Sequence, residues 1–89
     1  MAKIQVRKVD DNTFEVTVQS GLTTTHTVKL SEEYYQKLTG GKASKETLIQ
    51  KSFKFLLEHE DNTSILSHFD LPLIGHYFSE YESRIGERL

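Results

Sequence analysis

At Ser31 the spacing of apolar residues changes from every second position to every third or fourth, and that switch constrains the fold more than any other feature. A strand turns successive side chains to opposite faces, whereas a helix brings every third or fourth to one face, so a change of period marks a change of element. Before the switch, Ile4 and Val6 alternate with Lys3, Gln5 and Arg7. Phe14, Val16 and Val18 then alternate with Glu15, Thr17 and Gln19, and Leu22, Thr24, His26, Val28 and Leu30 with Thr23, Thr25, Thr27 and Lys29. Asp10-Asp11-Asn12 and Ser20-Gly21 separate the runs with residues that suit tight turns. Residues 3–30 are therefore expected to form an antiparallel sheet with one face buried. His26, on the apolar side of its strand, is expected at the rim of the sheet, hydrogen-bonded to a helix.

After the switch, Ser31 can cap a helix whose first turn carries Glu32 and Glu33, negative charges at the positive end of the helix dipole. Gly40-Gly41 stops it, since glycine takes the left-handed conformation without steric cost. Ser44 caps a longer helix with Leu48, Ile49, Phe53, Leu56 and Leu57 on one stripe, completing a helical hairpin over 31–60. Thr63 and Ser64 are read as the start of a short helix carrying Ile65, Leu66 and Phe69. Asp70-Leu71-Pro72 is a second start, because proline suits the first helical turn. Ser79-Glu80-Tyr81-Glu82 matches a capping box and splits the last stretch in two. The expected fold is α+β: one domain over 1–89, a three-stranded antiparallel β-meander followed by three or four α-helices packed on one face, the last of them over 63–86.

Composition narrows the function. A chain of 89 residues hides only about 60–65% of its unfolded surface, so self-association into a homodimer would add to a thin core. There is no cysteine, hence no disulfide, thiolate nucleophile or Cys-based metal site. No run approaches the ~18 apolar residues of a membrane helix, and the start of the chain lacks a secretory pattern. A cytoplasmic address with no membrane contact is expected. Net charge is −2, divided unevenly: residues 1–56 hold nine Lys/Arg against six Asp/Glu, residues 57–89 two against seven.

Chemistry-bearing patterns are weak. His26, His59, His68 and His76 show no metal-ligand spacing. His68 and Asp70 lie near Ser64 and Ser67, but no G-x-S-x-G elbow accompanies them. Gly40-Gly41-Lys42-Ala43-Ser44 departs from a phosphate loop in both its glycine and its Ser/Thr position. No catalytic residue, metal or cofactor is expected, and an enzyme is the least expected class. The Leu-, Ile-, Phe- and Tyr-dense stretch from Phe69 to Phe78 is read first as a helix packed on the domain core and second as a stripe that contacts a protein partner or a second copy. Tyr77, Phe78 and Tyr81 are its natural anchors, because aromatics dominate interface energetics.

Two resemblances add to this reading. Thr25-His26-Thr27-Val28-Lys29-Leu30, followed by the Ser31-capped helix, a glycine turn and the Ser44-Lys45 helix start, resembles the ribbon-helix-helix DNA-binding regulators and antitoxins. The resemblance covers residues 24–58. It implies a strand from each of two subunits paired into a ribbon, with Thr25, Thr27 and Lys29 reading bases and the backbone at Ser44 and Lys45 holding phosphate. The segment from Phe69 to Phe78 also resembles the ending of a family of small uncharacterised bacterial proteins, from which no activity carries over. The leading expectation is a non-enzymatic protein-interaction or regulatory module, and a ribbon-helix-helix-like DNA-binding regulator is the alternative.

Overall fold

The computed structural model describes residues 2–89. The alternating segments form β1 (Lys3–Asp10), β2 (Thr13–Ser20) and β3 (Leu22–Lys29), an antiparallel meander. Asp10 Oδ1 accepts from the Asn12 amide at 2.9 Å in the first turn, where an irregularity between Lys8 and Asp10 leaves Val9 unpaired. The second turn is a single residue, Gly21, at φ +77°, a conformation that favours glycine.

The helical segments follow as expected. α1 (Glu32–Thr39) is capped by Ser31, whose hydroxyl accepts from the Tyr34 amide, and it ends at Gly40 in the left-handed region. α2 (Lys45–Leu57) is capped by Ser44 through the Thr47 amide at 3.1 Å. Its stripe of Leu48, Ile49, Phe53 and Leu56 is buried over Phe14, Val16, Val18 and Val28 in one apolar cluster. Ser52, in the middle of that stripe, is fully buried and donates to the Leu48 carbonyl at 2.7 Å. Its oxygen therefore accepts from the Tyr81 hydroxyl at 2.6 Å, which fastens the end of the chain to α2.

Residues 62–72 depart from expectation. The predicted helix from Thr63 is one 3₁₀ turn, Asn62–Ser64, and Phe69 lies on a fourth strand, β4 (His68–Asp70), parallel to β3. The sheet is thus four-stranded and mixed, in the order β1-β2-β3-β4. The reason lies in β3, whose outer main-chain groups would go unpaired if residues 65–69 were helical. The Thr27 amide takes the Ser67 carbonyl at 2.7 Å, and the Lys29 carbonyl accepts the Leu71 amide at 2.9 Å. After Pro72 come α3 (Leu73–Tyr77) and α4 (Tyr81–Arg88), making four α-helices. The break between them falls where the sequence places it, but no capping box forms. Glu80 occupies the cap position without a side-chain bond, and Ser83 Oγ donates to its carbonyl at 3.0 Å.

α4 is held from both flanks. Tyr34 of α1 donates its hydroxyl to Glu82 at 2.9 Å, and Arg88 donates to Glu58 at 2.6 Å. Burial pushes the phenol pKa values of Tyr34 and Tyr81 upward, the former helped by the Glu82 carboxylate and the latter opposed by its bond to Ser52. The Arg88 guanidinium holds the exposed Glu58 carboxyl below its ordinary value.

A candidate docking groove

The segment after α2 is pinned by a buried hydrogen-bond chain. Asn62 Nδ2 donates to the Leu22 carbonyl and to Thr24 Oγ1, each at 2.9 Å, with the Val18 carbonyl further off at 3.4 Å. His26 Nδ1 lies 2.8 Å from the Leu66 carbonyl, which can only accept, so Nδ1 carries the proton. Nε2 then accepts from the Thr24 hydroxyl at 2.8 Å. The chain therefore runs one way, from Asn62 through Thr24 and His26 to Leu66. His26 is buried on β3, an interior strand, and not at the expected rim, because β4 and the loop before it continue the layer beyond β3; its partner is a loop carbonyl rather than a helix.

Pinning the Leu66 carbonyl inward turns its side chain out. Ile65 is buried, while Leu66 is 50% exposed. α3 repeats the division, with Ile74 in the core and Tyr77 67% exposed. Between the pinned loop, β4 and α3 lies a groove of about 400 Å³. Its lining is Leu56, Ile65, Leu66, Phe69, Leu73, Ile74, Tyr77 and Phe78, with Glu60 and Ser64 as the polar members. That volume is in the range of ligand-sized clefts, and the wall is apolar with sparse polar groups.

The structure separates the three predicted interface residues. Tyr77 stands on the groove rim. Phe78 is half-buried, stacked on His59 at 4.9 Å between ring centroids and edge-on to Phe55 at 5.9 Å. Tyr81 is not a surface anchor: it is fully buried, because α4 restarts the helix after the break and turns Tyr81 toward Ser52. Leu66 is a groove residue that the sequence reading did not assign, while Phe69 and Leu73 lie in the stretch it singled out without being named as anchors. The adjacent apolar pair Ile65-Leu66 in a polar turn was the available signal for Leu66, since one of two neighbours must face away from a single core.

The positions that the ribbon-helix-helix resemblance assigns to base reading share one face of β3. Thr25, Thr27 and Lys29 point to the face of the sheet that no helix covers, in register with Thr17, Glu15 and Thr13. β3 is hydrogen-bonded to β2 along its length and to β4 over Thr27–Lys29, so the part of its outer edge that carries Thr27 and Lys29 is already paired within the chain. Ser44 spends its hydroxyl on capping α2, and Lys45 Nζ is engaged by the Asp11 carbonyl at 2.9 Å and by Glu32 at 3.0 Å. Among the described residues, no hydrogen bond joins His68 to Asp70, Ser64 or Ser67, and no group of three or more His, Asp or Glu is placed to hold a metal. No described helix is long and apolar enough to cross a membrane.

Comparison of the chain with protein-family models, with curated proteins and with solved structures finds no match. Neither resemblance noted in the sequence gains support from these comparisons.

Proposed function

We propose that this protein is a non-enzymatic docking module of the cytoplasm that binds a protein partner in the groove between β4 and α3. The observation that carries this reading is the exposure of Leu66 and Tyr77 on either side of an apolar cleft. Large apolar side chains held outward around a concave apolar surface are what interface hot spots are built from. The Asn62–Thr24–His26–Leu66 chain supports the reading because it fixes one rim of the groove before any partner arrives. The test is a photo-crosslinking side chain introduced at position 66, with position 17 on the uncovered sheet face as control. A discrete protein adduct at position 66, lost on Tyr77→Ala with an unchanged melting temperature, is expected. Equal labelling at both positions, or capture of small apolar molecules alone, overturns the proposal.

A further inference from the structure

The groove is bordered by a strand whose outer edge is vacant. β4 is the last strand of the sheet, and its ladder to β3 engages the Ser67 carbonyl and the Leu71 amide. In a parallel pair, alternate residues of a strand bond to the neighbour. The main-chain N–H and C=O groups of His68 and Asp70 therefore point away from β3, and both residues are exposed. Side chains alternate along the same strand. Phe69 faces the groove, its ring 6.0 Å from that of Phe53, whereas His68 and Asp70 lie on the uncovered face beside Thr27 and Lys29. A strand added to this edge would place every second side chain in the groove and the intervening ones next to Asp70.

Charge indicates which side chains these are. Glu60 lines the groove and Asp70 sits on the edge, and among the described residues neither makes an ion pair. Lys29 is in register with Asp70 without closing a salt bridge to it. The surrounding stretch, residues 57–89, holds seven acidic side chains against two basic ones.

We infer that the groove takes an extended segment in which apolar and basic residues alternate, added as a fifth strand along β4 with its apolar side chains against Phe69 and Leu66 and a Lys or Arg facing Asp70. The inference rests on the docking role proposed above and specifies the partner. Strand addition uses the vacant main-chain groups for affinity and the groove for selectivity, whereas a helix in the same groove would leave those groups to water.

The probe is the hexapeptide acetyl-Lys-Ile-Lys-Val-Lys-Ile-amide, titrated into the 15N-labelled full chain. It is compared with a Glu-for-Lys counterpart, with a scrambled isomer whose lysines are contiguous, and with two isomers N-methylated on alternate amides. The expected result is a shift of the His68 and Asp70 amide resonances by the alternating basic peptide. One N-methylated isomer should bind about tenfold or more weakly while the other keeps its affinity, because only one set of amides faces β4. Asp70→Lys should abolish binding of the basic peptide and create binding of the acidic one. Asp70→Asn, a smaller change that keeps the exposed position polar, should weaken the basic peptide if the reversal disturbs folding. Shifts confined to the groove walls and indifferent to N-methylation overturn strand addition. Equal binding of the scrambled isomer, shifts at β1 in place of β4, or no shift with any peptide overturn the inference as well. The docking role itself is judged separately, by the adduct at position 66.

Discussion

β1 runs for eight residues along one edge of the sheet and β4 for three along the other. The long edge carries Lys3, Arg7 and Lys8, with an irregularity at Val9. Cations and bulges are the usual means of stopping an eight-residue edge from pairing with another chain. The short edge carries no lysine, and beside it lies an apolar groove with Leu66 and Tyr77 held outward. Three residues offer too few hydrogen bonds to recruit a partner unaided, so a short edge becomes selective only with a side-chain site next to it. On the proposed docking role, protection and recognition are divided between the two ends of one sheet.

The largest expected way to break this division is to detach β4 from the core. Phe69→Ala removes the ring that meets Phe53 and should cost about 2–4 kcal/mol, toward the lower end for a side chain that is only partly buried. Denaturant unfolding measures the loss. Native-state hydrogen exchange should show it concentrated at Thr27 and Lys29, with β1–β2 amides better protected. Asn62→Ala comes next. It leaves the Leu22 carbonyl and Thr24 hydroxyl without their donor and should cost about 1–3 kcal/mol, loosening the groove rim while β1 keeps its protection.

Ser52→Ala should cost about 1–3 kcal/mol as well, by stranding the buried Tyr81 hydroxyl, and Tyr81→Phe about 1 kcal/mol, since Ser52 still donates to Leu48. These two sharpen the comparison, because they weaken the anchoring of α4 without touching either edge. Tyr77→Ala is the smallest: with a side chain mostly in water, it should change stability by less than about 0.5 kcal/mol, and calorimetry checks it.

Stability should also depend on pH at both extremes. Tyr34 and Tyr81 have folded-state pKa values raised above the ordinary 10.0, chiefly by burial. The unfolded chain gives up these protons first, so the contribution is complete below pH 10 and is lost as pH rises beyond it. Glu58 has a folded-state pKa lowered from 4.5 by the bond from Arg88. Its contribution is present above that value and is lost as pH falls through the folded pKa, a small effect for an exposed carboxylate. Urea midpoints followed upward and downward from neutrality measure both. Arg88→Ala should remove only the Glu58 share of the acid-side dependence, leaving that of Asp10 and Glu32, whose carboxyls are also lowered, chiefly by bonds from Asn12 and Gln36.

How much of this was legible in the sequence depended on segment length. Eight-residue strands repeat their alternation often enough to declare themselves, and Ser31, Gly40 and Ser44 mark helix ends through side-chain and backbone chemistry that is local. β4 has no room for a period. Phe69 follows Ile65 and Leu66 at helical spacing, and only the vacant edge of β3, where its partner Val28 lies forty-one residues earlier, makes it a strand. The groove was half-legible for the same reason. Tyr77 and Phe78 stand out as aromatics, but Tyr81 continues their spacing and is buried because the helix breaks first. The outward turn of Leu66 follows from a bond to His26, forty residues away.

The parallel pairing of β4 also orders the molecule in time. β1, β2 and β3 close through turns of one or two residues, whereas β4 can dock only after the whole α1–α2 crossover has been brought back to the sheet. Closing so long a loop is entropically slow relative to hairpin formation. β4 and its groove should therefore be absent from the folding transition state, and Phe69→Ala should accelerate unfolding far more than it slows folding. The β4 edge is thus expected to be the last part of the protein to assemble and the first to come apart.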